Sequence, residues 1–428
     1  MPNFLKLNKD ELLKIKSDLK QQYENIKKLG LNLDMSRGKP SPEQLDLSTS
    51  MLDAVNSSSN YFSKGNIDCR NYGVLDGIDE MKELMSQIME VDKNNIIIGG
   101  NSSLSLMFDT ISHFMTHGTS KDPAWIKQKD IKFLCPCPGY DRHFSITEYF
   151  GIKMIPIKMN SDGPDMDEIQ KLVENDSTIK GIWCVPKYSN PQGITYSDEV
   201  VTRFAKLKPA ANDFRIFWDN AYAVHGLTNH EEKLLNIFEK CEKYNSCNLP
   251  IMFCSTSKIT FAGAGISAIA CQGENLENLK KRFSFKIIGY DKLNQLRHYR
   301  FLKNINILKY HMKKHAQILN PKFSLVINKF NDNFSNNPIL SWTNPKGGYF
   351  ISVETINGCA KETVRYCKEA GLKLTSAGST YPYGIDPNDS NIRIAPSYPD
   401  IKELGMAMDV FCLCVKLAAA EKLIKDKT

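Results

Sequence analysis

Apolar positions along this chain fall into two alternating rhythms. Short apolar runs of strand length recur at 96–98, 131–134, 153–158, 179–185, 214–218, 251–254 and 266–271. Between the earlier ones lie stretches with helical spacing, at 102–114 and around 142–150. Strand runs alternating with helices over more than 150 residues predict a mainly parallel sheet covered on both faces. In such a sheet ligands sit beyond the carboxyl ends of the strands.

Outside this stretch the pattern changes. Residues 11–28 carry Leu12, Leu13, Ile15, Leu19, Tyr23 and Ile26 at mostly helical spacing and stop at Gly30, which predicts an N-terminal helix. Residues 56–66 are polar and loop-like, and 78–89 return to helical spacing. A long polar helical pattern covers 293–319. Beyond it come a helix at 323–334, a strand at 349–353, a helix at 361–370, a strand at 391–394 and a helix at 401–417, a compact α+β unit. The expected organisation is therefore an N-terminal segment (1–60) packing with a small C-terminal domain (315–428), beside a large domain (61–314).

Composition narrows the classes. With 428 residues, 42% of them hydrophobic, the chain can bury two cores. The net charge of +7 is modest, and the basic residues between Lys280 and Arg300 fit a solvated helix face better than a nucleic-acid surface. Twelve cysteines lack paired metal-binding spacing, and Cys135, Cys184, Cys254 and Cys271 sit in apolar runs as reduced thiols do, so no metal site is expected. The first ten residues carry no apolar signal core, and no run of some 18 apolar residues occurs, so neither export nor a membrane is expected and the location is read as cytoplasmic.

Polar residues of interest follow the strand runs. After 251–254 come Ser255, Thr256, Ser257 and Lys258, then the small residues Ala262, Gly263, Ala264 and Gly265. An amine at the mouth of a buried strand can be desolvated toward its neutral form and attack a carbonyl; a lysine snorkelling from a strand end is the alternative. After Ile98, Gly99-Gly100-Asn101-Ser102-Ser103 opens a helix, where free N–H groups suit a phosphate, although Asn or Ser there also serves as a plain cap. Tyr140 follows Cys135-Pro136-Cys137-Pro138-Gly139 on a stiff turn and could stack on a flat heterocycle, or be core. Asn190 precedes Pro191, so its amide is held extended, by turn chemistry or for a site. Asp219 ends an apolar run, where a carboxylate needs a partner. No GxGxxG or GxxxxGK loop, no HExxH and no Ser/His/Asp order is found, so any cofactor uses another device.

Taken together, these motifs resemble the fold-type I pyridoxal-phosphate (PLP) aminotransferases, in particular a MocR-like or aspartate-aminotransferase-like subgroup. The resemblance rests on Ser36-Arg37-Gly38-Lys39-Pro40, on Ser255 through Gly263, and on Asp291-Lys292-Leu293-Asn294-Gln295-Leu296-Arg297-His298, and covers roughly residues 33–417. It implies a large domain with a mainly parallel seven-stranded sheet and a smaller α+β domain. It further implies that Lys258 forms the internal aldimine with PLP and moves the substrate proton, and that Asp219 keeps the pyridine nitrogen protonated. Asn190 and Tyr222 would bond the ring oxygen, and Tyr140 would stack on the ring. Asn101, Ser102, Ser103, Ser255 and Ser257 would hold the phosphate. Tyr72 would reach the phosphate of a second subunit, making a homodimer with shared sites. Gly38 would line the substrate, and Arg393 would clamp its α-carboxylate.

Two departures from the family stand out. Ile266 occupies the place where many relatives carry a phosphate-pairing arginine, leaving hydroxyls, amides and Lys187 for that charge. The lysine that one aspartate-specific branch uses to read the distal carboxylate is also missing, and Arg37, then Arg297, are the replacements expected. The implied activity is transfer of an amino group from aspartate or glutamate to a 2-oxo acid. A broad alanine/aromatic aminotransferase or a PLP β-lyase is the enzymatic alternative. A PLP-sensing regulatory domain is the non-enzymatic one; such regulators carry a winged helix ahead of the fold, and only about 30 residues precede Leu33.

Overall fold

A computed structural model describes residues 2–119, 121–228 and 232–427. Its strands, in chain order, are β1 (Leu33–Asp34), β2 (Ile96–Ile98), β3 (Lys132–Cys137), β4 (Lys153–Asn160), β5 (Gly163–Pro164), β6 (Ile179–Cys184), β7 (Arg215–Asp219), β8 (Pro250–Ser255), β9 (Ser267–Ala270), β10 (Leu340–Trp342), β11 (Ile351–Thr355), β12 (Leu372–Lys373) and β13 (Asn391–Ile394). The large sheet runs β2-β9-β8-β7-β6-β3-β4-β5. Its centre, β8-β7-β6-β3-β4, is parallel, while β9 is antiparallel to both neighbours and β5 folds back antiparallel onto β4. Seven strands were expected; the eighth is the two-residue β5, too short to leave an apolar signature.

Alternation within each strand buries both faces. Ile96 and Ile98 enter one core and Ile97 the other; Trp218 and Cys254 enter the first, Phe217 and Phe253 the second. Both cores are closed by helices, and each fully buried aromatic contributes on the order of 2 kcal/mol or more.

A third core belongs to the small domain. It unites Leu12, Leu19 and Tyr23 of the N-terminal helix (Lys9–Lys27) with β10, β11, β13 and the closing helix (Ile401–Asp426). Asn8 and Glu11 form a reciprocal cap at the start of that first helix, a device worth about 1 kcal/mol. β1 pairs with β12 and so ties the N-terminal segment to the C-terminal unit.

The helical pattern expected over 293–319 divides differently. Lys292–Leu302 ends where Lys303 takes φ +57°, and a 30-residue helix, Ile305–Phe334, follows with Pro321 inside it. Leu308 and Met312 pack into the large-domain core, Leu319 and Phe323 into the small-domain core. The expected domain border at 314/315 thus falls within one continuous helix that both cores share.

Candidate active site

The loops leaving β2, β3, β6, β7 and β8 emerge on the same edge of the large sheet and wall a cavity of about 530 Å³. They bring Ser102, Ser103, Tyr140, Asn190, Tyr222, Ser257 and Lys258 to one place, with Asp219 and Ser255 at the strand ends themselves. The opposite wall is the small domain, through Arg37, Gly38, Phe350, Thr375 and Arg393. A side chain at position 38 would put its Cβ 2.3 Å from the Phe350 ring, so glycine is required for the N-terminal segment to pack against Phe350 within that wall.

Asp219 closes β7 and is only 4% exposed. Its Oδ2 accepts a hydrogen bond from His143 Nε2 at 3.0 Å, while its Oδ1 is buried without a partner among the described residues. A buried acceptor left unpaired costs about 1–3 kcal/mol, so the site is built for a donor not supplied by the chain. His143 is itself fixed: its ring stacks on Trp183 at 4.4 Å, and Tyr140 meets it edge-on at 4.9 Å. Burial pushes the Tyr140 phenol up to about 12, against the opposing pull of Lys258, so it remains protonated. Burial, reinforced by the Asp219 charge, likewise raises Tyr222.

Lys258 follows β8 on a tight turn in which the Ile259 and Thr260 N–H groups both donate to Thr256 O. Its Nζ lies 4.7 Å from the Tyr222 ring centroid and 5.8 Å from that of Tyr349, and it makes no hydrogen bond or ion pair among the described residues. The amine is thus held against aromatic faces and open to the cavity.

At the other end, Ser102 caps the helix Ser103–His117 without a side-chain cap bond, and the first turn carries no acidic residue. The free N–H groups and positive dipole end there suit an anion. Cavity-lining groups include six cationic side chains, Arg37, Lys39, Arg142, Lys258, Lys373 and Arg393, against two carboxylates, Asp141 and Asp219. An excess of four positive charges suits a ligand carrying several negative ones. Ile266, where an arginine was looked for, is core, 2% exposed, with its N–H donated to Thr256 Oγ1.

Arg393 in β13 is almost fully buried. Its Nη1 donates to Asp141 at 3.1 Å and to Asn190 Oδ1 at 3.3 Å, its Nη2 to Thr375 Oγ1 at 3.2 Å, and its face lies over Phe350. The guanidinium is therefore aimed before any ligand arrives. The Asn190–Pro191 peptide is cis.

Several expected residues lie elsewhere. Asn101 is exposed, and its amide donates to Gly263 O; only its backbone carbonyl meets the site, accepting from Ser257 Oγ. Lys187 does not line this cavity, and its Nζ donates to Ala223 O. Arg297 bonds Asn294 on its own helix and also stays off the cavity wall. Tyr72, expected at the site of a second subunit and not in this cavity, is 82% exposed on a surface loop.

His143, Asp141 and Thr375 were not anticipated. His143 and Asp141 flank the same helix start as Tyr140, but their partners are 76 and 252 residues away, and no local spacing announces such pairs. Asp141 lines the cavity and holds Arg393 Nη1, one of the two terminal nitrogens a bidentate carboxylate would need. If it competes there, Asp141→Asn should lower KM for a carboxylate-bearing substrate by ~2–5-fold with kcat little changed, as expected for an ion pair whose arginine is buried and whose carboxylate is 32% exposed. A raised KM would mean instead that Asp141 orients the guanidinium.

Comparison with known proteins bears on this constellation. A family model described as aspartate amino-transferase matches residues 7–427. A putative aminotransferase from Mycolicibacterium smegmatis is 44% identical over 99% of this chain and 100% of its own length. An aspartate aminotransferase from Corynebacterium glutamicum is 42% identical over 94% of this chain and 93% of its own. The crystal structure of an aspartate transaminase from Corynebacterium glutamicum superimposes with a TM-score of 0.96 at 40% identity, covering 98% of this chain and 99% of that one.

Proposed function

This chain belongs to the aspartate amino-transferase family, and from that premise we propose that it is a PLP-dependent enzyme moving an amino group from aspartate or glutamate to a 2-oxo acid. The observation that carries the reading is the unpartnered Asp219 Oδ1, buried on the wall of the cavity that the free Lys258 amine also lines. A pyridinium N–H is the donor this carboxylate lacks, and the uncapped helix start at Ser103 with the Ser102 and Ser255 hydroxyls suits a phosphate. The residues present therefore fit PLP.

Bound there, PLP supplies an electron sink for chemistry at the substrate Cα. Lys258 would hold the cofactor through Nζ and, when free of it, would be the group placed to move the Cα proton. Asp219 would accept from the ring nitrogen at Oδ1, with His143 fixing Oδ2. Tyr222, Asn190 and Tyr140 line the same cavity and would be the side chains that hold the ring. Arg393 takes the substrate α-carboxylate in place of, or beside, Asp141.

The second carboxylate of an acidic donor is assigned to Arg37, which lines the cavity mouth beside Gly38 and is exposed. A homodimer belongs to the same reading, with the exposed Tyr72 reaching the partner's phosphate. A cytoplasmic location is part of it too, supported by twelve free cysteines, nearly all buried.

A screen of single amino acids tests the donor. Protein loaded with PLP and mixed with one amino acid at a time should lose its visible colour fastest with aspartate or glutamate. Arg37→Ala should raise KM for aspartate about tenfold, the worth of one charge-assisted hydrogen bond, and leave alanine unaffected. Equal bleaching by alanine and aspartate in the wild type would remove the acidic-donor assignment.

A further inference from the structure

Three of the chain's eight histidines converge on the backbone of Lys258 and its neighbour, on the side away from the cavity. Ile259 O accepts from His311 Nε2 at 2.8 Å and from His315 Nε2 at 3.0 Å. His225 Nε2 lies 3.3 Å from Lys258 O. His311 and His315 are one turn apart on the helix shared by both cores, and their Nε2 atoms are 3.1 Å apart because both point at the same oxygen.

That arrangement is stable in one protonation pattern. Two ring nitrogens facing one carbonyl must each carry a proton there, so each neutral ring keeps its lone pair on Nδ1. For His315 that lone pair is met by Gln44 Nε2 at 3.1 Å. Gln44 is fully buried, donates its other N–H to Tyr349 Oη at 2.8 Å, and accepts from the Ser41 N–H at 3.2 Å. Every polar atom of its amide is therefore used, and the amide cannot be flipped without facing a donor with a donor. Burial above all holds His315 and His225 down to about 3, with the Lys258 charge adding to it for His225, and also lowers His311. The rings are neutral throughout the working range, as the hydrogen-bond pattern requires.

We propose that Gln44, His315 and His311 form a positioning relay that holds the Lys258–Ile259 turn, setting the reach of the Lys258 amine from the N-terminal segment. Ser41 and Gln44 belong to the N-terminal segment, Tyr349 to the small domain, and Lys258 to the large one. The relay therefore couples placement of the reactive amine to docking of the small domain, through the helix that both cores share. None of its members lines the cavity, so they act through Lys258 and not on a ligand. The inference rests on the proposed function for its consequence, though not for its geometry.

The test uses the full chain, with and without cofactor. In the cofactor-free chain, His315→Ala should speed backbone hydrogen exchange across residues 258–262 by about tenfold, as expected for loss of a buried hydrogen bond. On adding PLP, the same variant should develop visible colour about tenfold more slowly than wild type. His315→Gln, which keeps an N–H donor, should recover most of both effects. Leu319→Ala, on the same helix but packed in the small-domain core, serves as the control for destabilisation alone. If His315→Ala does not fold, Gln44→Met removes the tautomer lock with little change of volume and should show both effects.

Wild-type exchange and capture rates in the relay variants, or equal changes in Leu319→Ala, would overturn the proposal. Failure of the wild type itself to take up PLP would remove the proposed function, while the exchange comparison would still decide whether the relay holds the turn.

Discussion

Lys258→Ala should bind PLP without the visible colour of the covalently held cofactor and should lose transamination by on the order of 10⁴-fold. The size follows from removing both the nucleophile that holds the cofactor and the positioned base, the latter alone worth about 10²–10⁴. Among the described residues no other amine is placed to substitute. Lys187 is committed to Ala223 O, and Lys39 and Lys373 lie exposed at the cavity rim. An absorption spectrum and single-turnover rate on the purified variant check this. A wild-type spectrum would strip Lys258 of its assigned role.

The second large effect is expected at Asp219. A carboxylate about 4 Å from a pyridinium, at an effective dielectric near 20, contributes about 4 kcal/mol, roughly a thousandfold in the protonation equilibrium of the ring. Asp219→Ala should therefore keep measurable cofactor, because Lys258 and the phosphate cradle are intact, yet lose about three decades in kcat. His143→Ala provides the comparison: Asp219 would keep the Oδ1 that faces the cavity but lose the hydrogen bond to Oδ2, so the loss should be far smaller, about tenfold. Near-normal turnover in Asp219→Ala would contradict the electron-sink assignment.

Much of the site was legible along the chain because each candidate follows directly on a strand. Lys258, Asp219, Asn190 and Tyr140 stand at the ends of runs whose apolar character is unmistakable, and parallel strands must end on the same edge. Their convergence at one cavity follows from topology. Other candidates went elsewhere. Asn101 and Lys187 lie one and two positions from the cavity-lining Ser102 and Val185, and local geometry turned them away, while Arg297 sits on a helix that contributes nothing to the cavity wall. Such a rotation leaves no trace in spacing.

The helix from Ile305 to Phe334 is the clearest case of what periodicity misses. Its apolar positions satisfy two different cores, so the pattern reads as two helices, and Pro321 sharpens the apparent break. Continuity is decided by packing on both sides, which outweighs the hydrogen bond lost at the proline.

Strand order of burial, helix period and the chemistry available at each strand end are local properties, so the amino-acid order by itself determined the fold class and the principal reactive groups. Pairings such as His143 with Asp219, Asp141 with Arg393 and Gln44 with His315 join residues 76, 252 and 271 positions apart. Only the tertiary structure decided them, because a hydrogen bond depends on distance and direction in space, and neither is carried by neighbours along the chain.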